Sequence, residues 1–376
     1  PYIQNYKRGD IVVFRNPHYT SDRKSEVKTF FSQFLYMCSL TLLKTNTDEN
    51  GELKADPLVK RITAVPGEQI YMLDGTLYSR TKDSEEFTPV TDDARWAAWD
   101  LNPAPKKIKE KIQQIPLTKK QAAQCLEVEA ERRNLDLVSA ALECEALARE
   151  FRLRAKNASN EPCTEELFTK SDMMIYNMFS SVNNTAISLL SAKGGASWFD
   201  GFLNQWHSGS EWKEKMVGGD MYQDSVFRLN IMAKLLFGRL VVRNAQLLYE
   251  NVPPSEWNND PVKIECFEKA QRLVDYIFEM DLRNLPVFPE NDENGKASYI
   301  PENCYFMMGD NRYNSLDMRH KYQQELIELS RLDPYSVTYY SGIAPQYVNR
   351  ERILGRASFR FWPLSRAGVP GKGLRG

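Results

Sequence analysis

Residues 305–319, Tyr-Phe-Met-Met-Gly-Asp-Asn-Arg-Tyr-Asn-Ser-Leu-Asp-Met-Arg, constrain this chain more than any other stretch. Phe306, Met307 and Met308 run into Gly309, and Asp310, Arg312, Ser315, Asp317 and Arg319 then fall within ten positions. The pattern predicts a buried strand ending in a turn whose carboxylates and guanidiniums neutralise one another. An isolated cluster of this kind is ordinarily a solvated turn with ion pairs worth little. Its weight depends on what else the chain carries.

Near the start, Arg8-Gly-Asp-Ile-Val-Val-Phe14 reads as a turn and a short buried strand, stopped by Pro17. Residues 59–68, Val-Lys-Arg-Ile-Thr-Ala-Val-Pro-Gly-Glu, place Lys60 in an apolar run. A lone strand lysine usually snorkels to solvent. If the segment is extended, Lys60 and Arg61 face opposite ways. Residues 69–78 form a β-hairpin with Asp74-Gly75 as its two-residue turn.

From 84 to 290 the wording changes. Thr118 and Gln121 fit a capping box, and Leu137, Ala141, Cys144, Ala148 and Phe151 recur at helical spacing. Residues 164–190, 222–249 and 262–282 also read as helices, with Pro253-Pro254 breaking the last two apart. This is an all-helical insertion, residues 84–290, whose Met and aromatic stripes are its own core. Residues 320–341 read as a smaller insertion, one helix and a loop. Residues 353–366, Ile-Leu-Gly-Arg-Ala-Ser-Phe-Arg-Phe-Trp-Pro-Leu-Ser-Arg, return to strand character.

Together these blocks resemble the bacterial type I signal peptidases, membrane-bound Ser/Lys endopeptidases. Gly-Asp-Asn-Arg-x-x-Ser-x-Asp-x-Arg at 309–319 is the family's most diagnostic wording. Arg-Gly-Asp-Ile-Val-Val-Phe, the Lys-Arg block at 60–61 and the closing Gly-Arg-Ala and Trp-Pro-Leu follow in the family's order. The resemblance covers about 1–80, 300–319 and 342–366. Two departures stand out: Ala64 where the family usually has Gly, and Glu68 where it has Asp. The resemblance implies an α+β chain, with a mainly antiparallel β catalytic fold over 1–83 and 291–376 interrupted by the helical insertion. It implies Lys60 as general base and Ser315 as the group orienting it. Asp310, Arg312, Asp317 and Arg319, with Arg61, would be the charge-paired support. Substrates would be exported preproteins, cut after small residues at the outer face of the cytoplasmic membrane.

The family carries its nucleophile in a Ser-x-Met-x-Pro block ahead of the first strand. No such block precedes Gly9; Ser171-Asp-Met-Met174 lacks the Pro and lies in the helical region. The expectation is that the serine and a membrane anchor precede Pro1, leaving these residues alone inactive. Residues 30–43 are apolar but short of the ~20 residues a spanning helix needs. They fit a core helix or a segment in the membrane interface, a contact with lipid.

The chain has 376 residues, room for two or three domains, and a formal charge of -1, so nothing points to an electrostatic nucleic-acid binder. Six cysteines without a CxxC pair and three distant histidines suggest no metal site and no cofactor. A different class of function is a non-catalytic relative whose helical insertion binds a protein partner. A Ser/Lys autoprotease of the SOS-repressor kind would need a cleavable linker and a DNA-binding domain, and neither is visible.

Overall fold

The computed structural model describes residues 5–17, 57–99, 119–155, 167–208, 220–313, 315–358 and 368–369. The apolar segment 30–43, the capping Thr118 and the closing Trp-Pro-Leu lie outside the described residues. The strands in chain order are β1 (Ile11–Phe14), β2 (Leu58–Ala64), β3 (Glu68–Leu73), β4 (Thr76–Thr81), β5 (Ser84–Pro89), β6 (Leu285–Phe288), β7 (Cys304–Met308), β8 (His320–Glu328), β9 (Thr338–Ile343), β10 (Val348–Asn349) and β11 (Ile353–Arg356). The helices are α1 (Thr91–Trp96), α2 (Lys119–Asn134), α3 (Leu137–Arg152), α4 (Ile175–Ser180), α5 (Val182–Ser191), α6 (Gly195–Asn204), α7 (Met221–Tyr249) and α8 (Pro261–Arg283). The class is α+β. Among the described residues no helix is long and apolar enough to cross a membrane.

Among the described residues three antiparallel sheets form, in the orders β10-β7-β2-β1-β11, β5-β4-β3-β6 and β8-β9. In the first, β7 is buried at every position, and its partner β2 sets Lys60 across from Val12 and Arg61 across from Met308. Val12, Phe14, Ile62, Ile70, Met72 and Phe306 through Met308 make one apolar core. In the second, Asp74 and Gly75 both take positive φ (52° and 80°), the geometry of a tight two-residue hairpin. That turn is half-buried. The Asp74 carboxylate receives Arg132 at 2.6 Å, and Arg283 donates to its backbone carbonyl at 2.9 Å.

The helices make a second core around α7, which is buried almost along its whole length. α3 starts at Asp136, whose carboxylate caps the amides of Val138 and Ser139. It buries Leu137, Ala140, Cys144, Ala148 and Phe151, and Ala141 packs half-buried against the same core.

Two local assignments are corrected. The second sheet does not stop at 83. β5 extends it to Pro89, and β6, before residue 291, adds its other edge, burying Leu285 against the core. Pro286 and Pro289 disguise that strand, but an edge tolerates proline. Residues 320–341 form no helix: β8 and β9 pair as a hairpin. Gln323, Gln324, Glu325 and Leu326 favour helix locally, but Leu329, Val337 and Tyr339 find burial only by reaching into the helical core.

The hairpin is pinned there by charge. Asp333 and Lys234 form an ion pair with both side chains fully buried. Asn230 donates to the same carboxylate at 2.7 Å, and Lys234 donates to the Phe202 carbonyl at 2.7 Å. Removing one partner strands the other charge in the core. Asp333→Ala is expected to destabilise the protein by about 3–5 kcal/mol in denaturant unfolding, whereas Lys234→Met with Asp333→Leu should lie much closer to the parent.

Candidate active site

β2 presents alternate side chains to opposite faces. Lys60 shares its face with Ile62, and its Nζ donates to Ser315 Oγ at 2.8 Å, across 255 positions of sequence. Burial pushes the Lys60 amine below its ordinary value. The charge of Asp317 opposes this shift and that of Arg319 adds to it.

Ser315 comes this close because position 309 has no side chain. A Cβ on Gly309 would sit 1.9 Å from Ser315 Oγ and 2.5 Å from its Cβ. The strand β7 therefore ends on a glycine that lets the following loop fold back over it. The loop is fixed by the Gly309 amide, which donates to Asp317 Oδ2 at 2.8 Å.

Arg61 lies on the opposite face of β2. It grips Asp310 with two contacts, 2.8 and 2.7 Å, donates to the Gly9 carbonyl at 2.8 Å and stacks 4.7 Å from the Trp96 ring centre. Asp310 is thus the partner of Arg61. Arg312 turns instead to Asp93 of α1, 3.0 Å away and 219 positions earlier, and both are buried. The chain after α1 runs beside the motif: Ala98 donates to the Asp310 carbonyl at 2.7 Å and accepts from the Arg312 amide at 3.1 Å. Arg319 meets Asp317 through Nε at 2.8 Å and Nη2 at 3.0 Å. Burial would raise the Asp317 carboxyl, but the Arg319 charge and hydrogen bonds outweigh it and hold it well below the carboxylate range.

All seven residues singled out in the sequence therefore gather around β2 and the 309–319 loop. Sequence reading missed Asp93, Trp96 and the C-terminal end of α8. Arg319 also donates to the Leu282 carbonyl at 2.6 Å, and the His320 ring to that of Asp281 at 3.0 Å. Burial, reinforced by the Arg319 charge, pushes His320 down to about 4, so the ring is neutral near pH 7. An acidic pair at 92–93 behind a threonine is an ordinary helix start, so nothing in the wording marked Asp93 as a partner of Arg312.

The two departures from the family wording are accommodated. Ala64 ends β2 as a buried residue beside a bulge in the pairing with β7. Glu68 closes the turn at 65–68 by accepting the Val65 amide at 2.9 Å, and its other oxygen pairs with Arg8.

The site is thus an amine hydrogen-bonded to a serine beside a lattice of buried ion pairs. The family described as signal peptidase, peptidase S26, matches residues 1–131 and 243–362, about two thirds of the chain. The protein belongs to the signal peptidase family. Between the two matched segments, residues 132–242 hold α3 to most of α7. No curated protein and no solved structure matches the chain.

Two outcomes test this geometry. Gly309→Ala should lower stability by about 1–3 kcal/mol in denaturant unfolding, and much less when combined with Ser315→Gly. For Asp317, a folded pKa below the unfolded ~3.9 means its stabilisation is complete above about pH 4 and lost as pH falls further. Asp317→Asn should therefore cost most at neutral pH, and its gap from the parent should shrink in acid, read from urea midpoints between pH 7 and 2.

Proposed function

We propose that the protein is a membrane-associated Ser/Lys endopeptidase with Lys60 as its general base. It removes signal peptides from exported preproteins after small residues, at the outer face of the bacterial cytoplasmic membrane. The observation carrying this reading is the 2.8 Å contact between Ser315 and a lysine amine that burial pushes toward its neutral form.

A neutral amine has a lone pair, and that is what a serine hydroxyl needs to lose its proton as it attacks a carbonyl. The ammonium so formed then returns the proton to the departing amine. A second turn, with water in place of the serine, frees the acyl group. Ser315 is the only hydrogen-bond partner of the Lys60 amine among the described residues. In this reading Ser315 orients the amine, and a serine from outside the described residues completes the dyad, its amide contributing to the oxyanion hole. Asp310, Arg312, Asp317, Arg319 and Arg61 are positioning residues. In this reading they hold the site in shape, and the proton transfers fall to Lys60.

In protein carrying the serine segment, Lys60→Ala is expected to lower kcat by about 10²–10⁴-fold while the fold survives. Undiminished cleavage by that variant would remove Lys60 from the mechanism. The active form is deprotonated, so the rate should rise with pH through the Lys60 pKa, at a midpoint below the ~10.4 of a free lysine. A pH profile of kcat checks this.

A further inference from the structure

The chain as a whole is balanced, with 49 basic and 50 acidic side chains, but the charge is not evenly spread. From Val348 onward there are seven basic residues, beginning with Arg350, Arg352 and Arg356, and one acid, Glu351. The described part of that stretch holds β10, a 3-10 turn at Arg350–Arg352 and β11, which is the edge strand of the first sheet. A groove of about 490 Å³ opens beside it, lined by Tyr6, Arg350, Arg356 and Ser358 together with residues 353–355. Two guanidiniums therefore border one recess. The Arg356 side chain is half exposed, and its carboxylate partner, Asp10, lies 3.5 Å away. A pair that long and that open to water leaves the guanidinium available to a stronger anion such as a phosphate.

Apolar side chains stand beside these arginines. Leu354 of β11 is 54% exposed, and Val59 of β2 is 56% exposed. Val59 stands across from Val13, and Val13 across from Gly355, the neighbour of Leu354. Along β1 the buried Val12 and Phe14 face the core, so Val13 and Val59 lie on the sheet's other face. Exposed aliphatic groups with arginines at their rim match a lipid surface, where the apolar atoms enter the interface and the guanidiniums meet phosphates. A soluble polyanion would engage the arginines but leave Leu354 and Val59 in water.

We infer that this edge of the first sheet, from Arg350 to Arg356, seats anionic phospholipid headgroups, with their phosphates in the groove. The inference deepens the membrane association proposed above and does not depend on the chemistry of Lys60. It does fix where that chemistry takes place. Arg356, Val12 and Lys60 stand in one row across β11, β1 and β2. Neighbouring strands are ~4.8 Å apart, so the backbone of Lys60 lies about 10 Å from that of Arg356, roughly three residues of extended chain. With Arg356 at the level of the headgroups, the amine works at the bilayer surface, and a peptide needs to leave the lipid by only a few residues to reach it.

Co-sedimentation of the full chain with lipid vesicles tests this without any cleavage. Vesicles of phosphatidylcholine are compared, at one ionic strength, with vesicles of equal parts phosphatidylcholine and phosphatidylglycerol. The mixed vesicles should bind about tenfold or more tightly. Arg350→Gln with Arg356→Gln should remove most of that preference, and Arg350→Lys with Arg356→Lys should keep it. Equal binding to the two vesicles overturns the inference and leaves the membrane association standing; binding to neither overturns both. A preference unchanged in the glutamine variant overturns the assignment to this edge. Inorganic phosphate that releases the protein completely, where chloride of matched ionic strength does not, gives the groove to a soluble ion and overturns it as well. The vesicle comparison needs no variant to fold. Lys60→Ala should bind both vesicles as the parent does, which keeps the lipid seat apart from the base.

Discussion

Arg319 and Asp317 are both closed to solvent, so neither charge has water as an alternative partner. That single pair holds the site in shape. The carboxylate accepts from Arg319 and from the Gly309 amide, tying both ends of the loop to one group. The guanidinium spends its remaining donors on the Arg312 and Leu282 carbonyls. Its electrical effect on Lys60 is as important as its geometry. A bare carboxylate there would favour the ammonium, but Arg319 counters that pull, so burial remains the largest influence on the amine.

The helical layer belongs to this arrangement. The last carbonyls of a helix lack intrahelical donors and carry partial negative charge. At the end of α8 those of Asp281 and Leu282 are answered by His320 and Arg319. Arg283, the helix's final residue, pairs with Glu129 of α2 at 2.6 Å and touches the Asp74 turn. The Asp281 carboxylate is met by Ser341 at 2.7 Å and Tyr339 at 3.1 Å from β9. Tyr313 of the motif packs in the helical core, whereas Met308, five residues before it, packs in the sheet core. The 309–319 loop is thus the seam between two cores, and each wall of the seam supplies partners to it.

What could be read from sequence was local. β1, β2, β7 and the Asp74-Gly75 hairpin announce themselves by apolar runs and turn residues, α3 by its helical spacing, and α7 and α8 by long apolar-rich stretches parted at Pro253-Pro254. The nearness of Lys60 and Ser315 was expected only through family wording, because strand periodicity says nothing about a partner 255 positions away. Arg312 and Asp93 show the limit. Each looks like an ordinary surface charge in its own neighbourhood, and only the folded chain makes them a buried pair. The β8–β9 hairpin failed in the opposite way, since a strong local preference for helix yielded to the burial of Val337 and Tyr339.

One consequence concerns direction. A neutral amine has two N–H donors and one lone pair in a tetrahedral arrangement, so a donor bond to Ser315 fixes one of these directions and confines the lone pair to a cone about it. A lysine otherwise has four freely turning bonds, and without that tether its lone pair would sample most orientations. The tether is only as good as the position of Ser315, and that position is open only because residue 309 lacks a Cβ. On the proposed mechanism, therefore, the aim of the base depends on the absent side chain of Gly309 as well as on the residues that touch it.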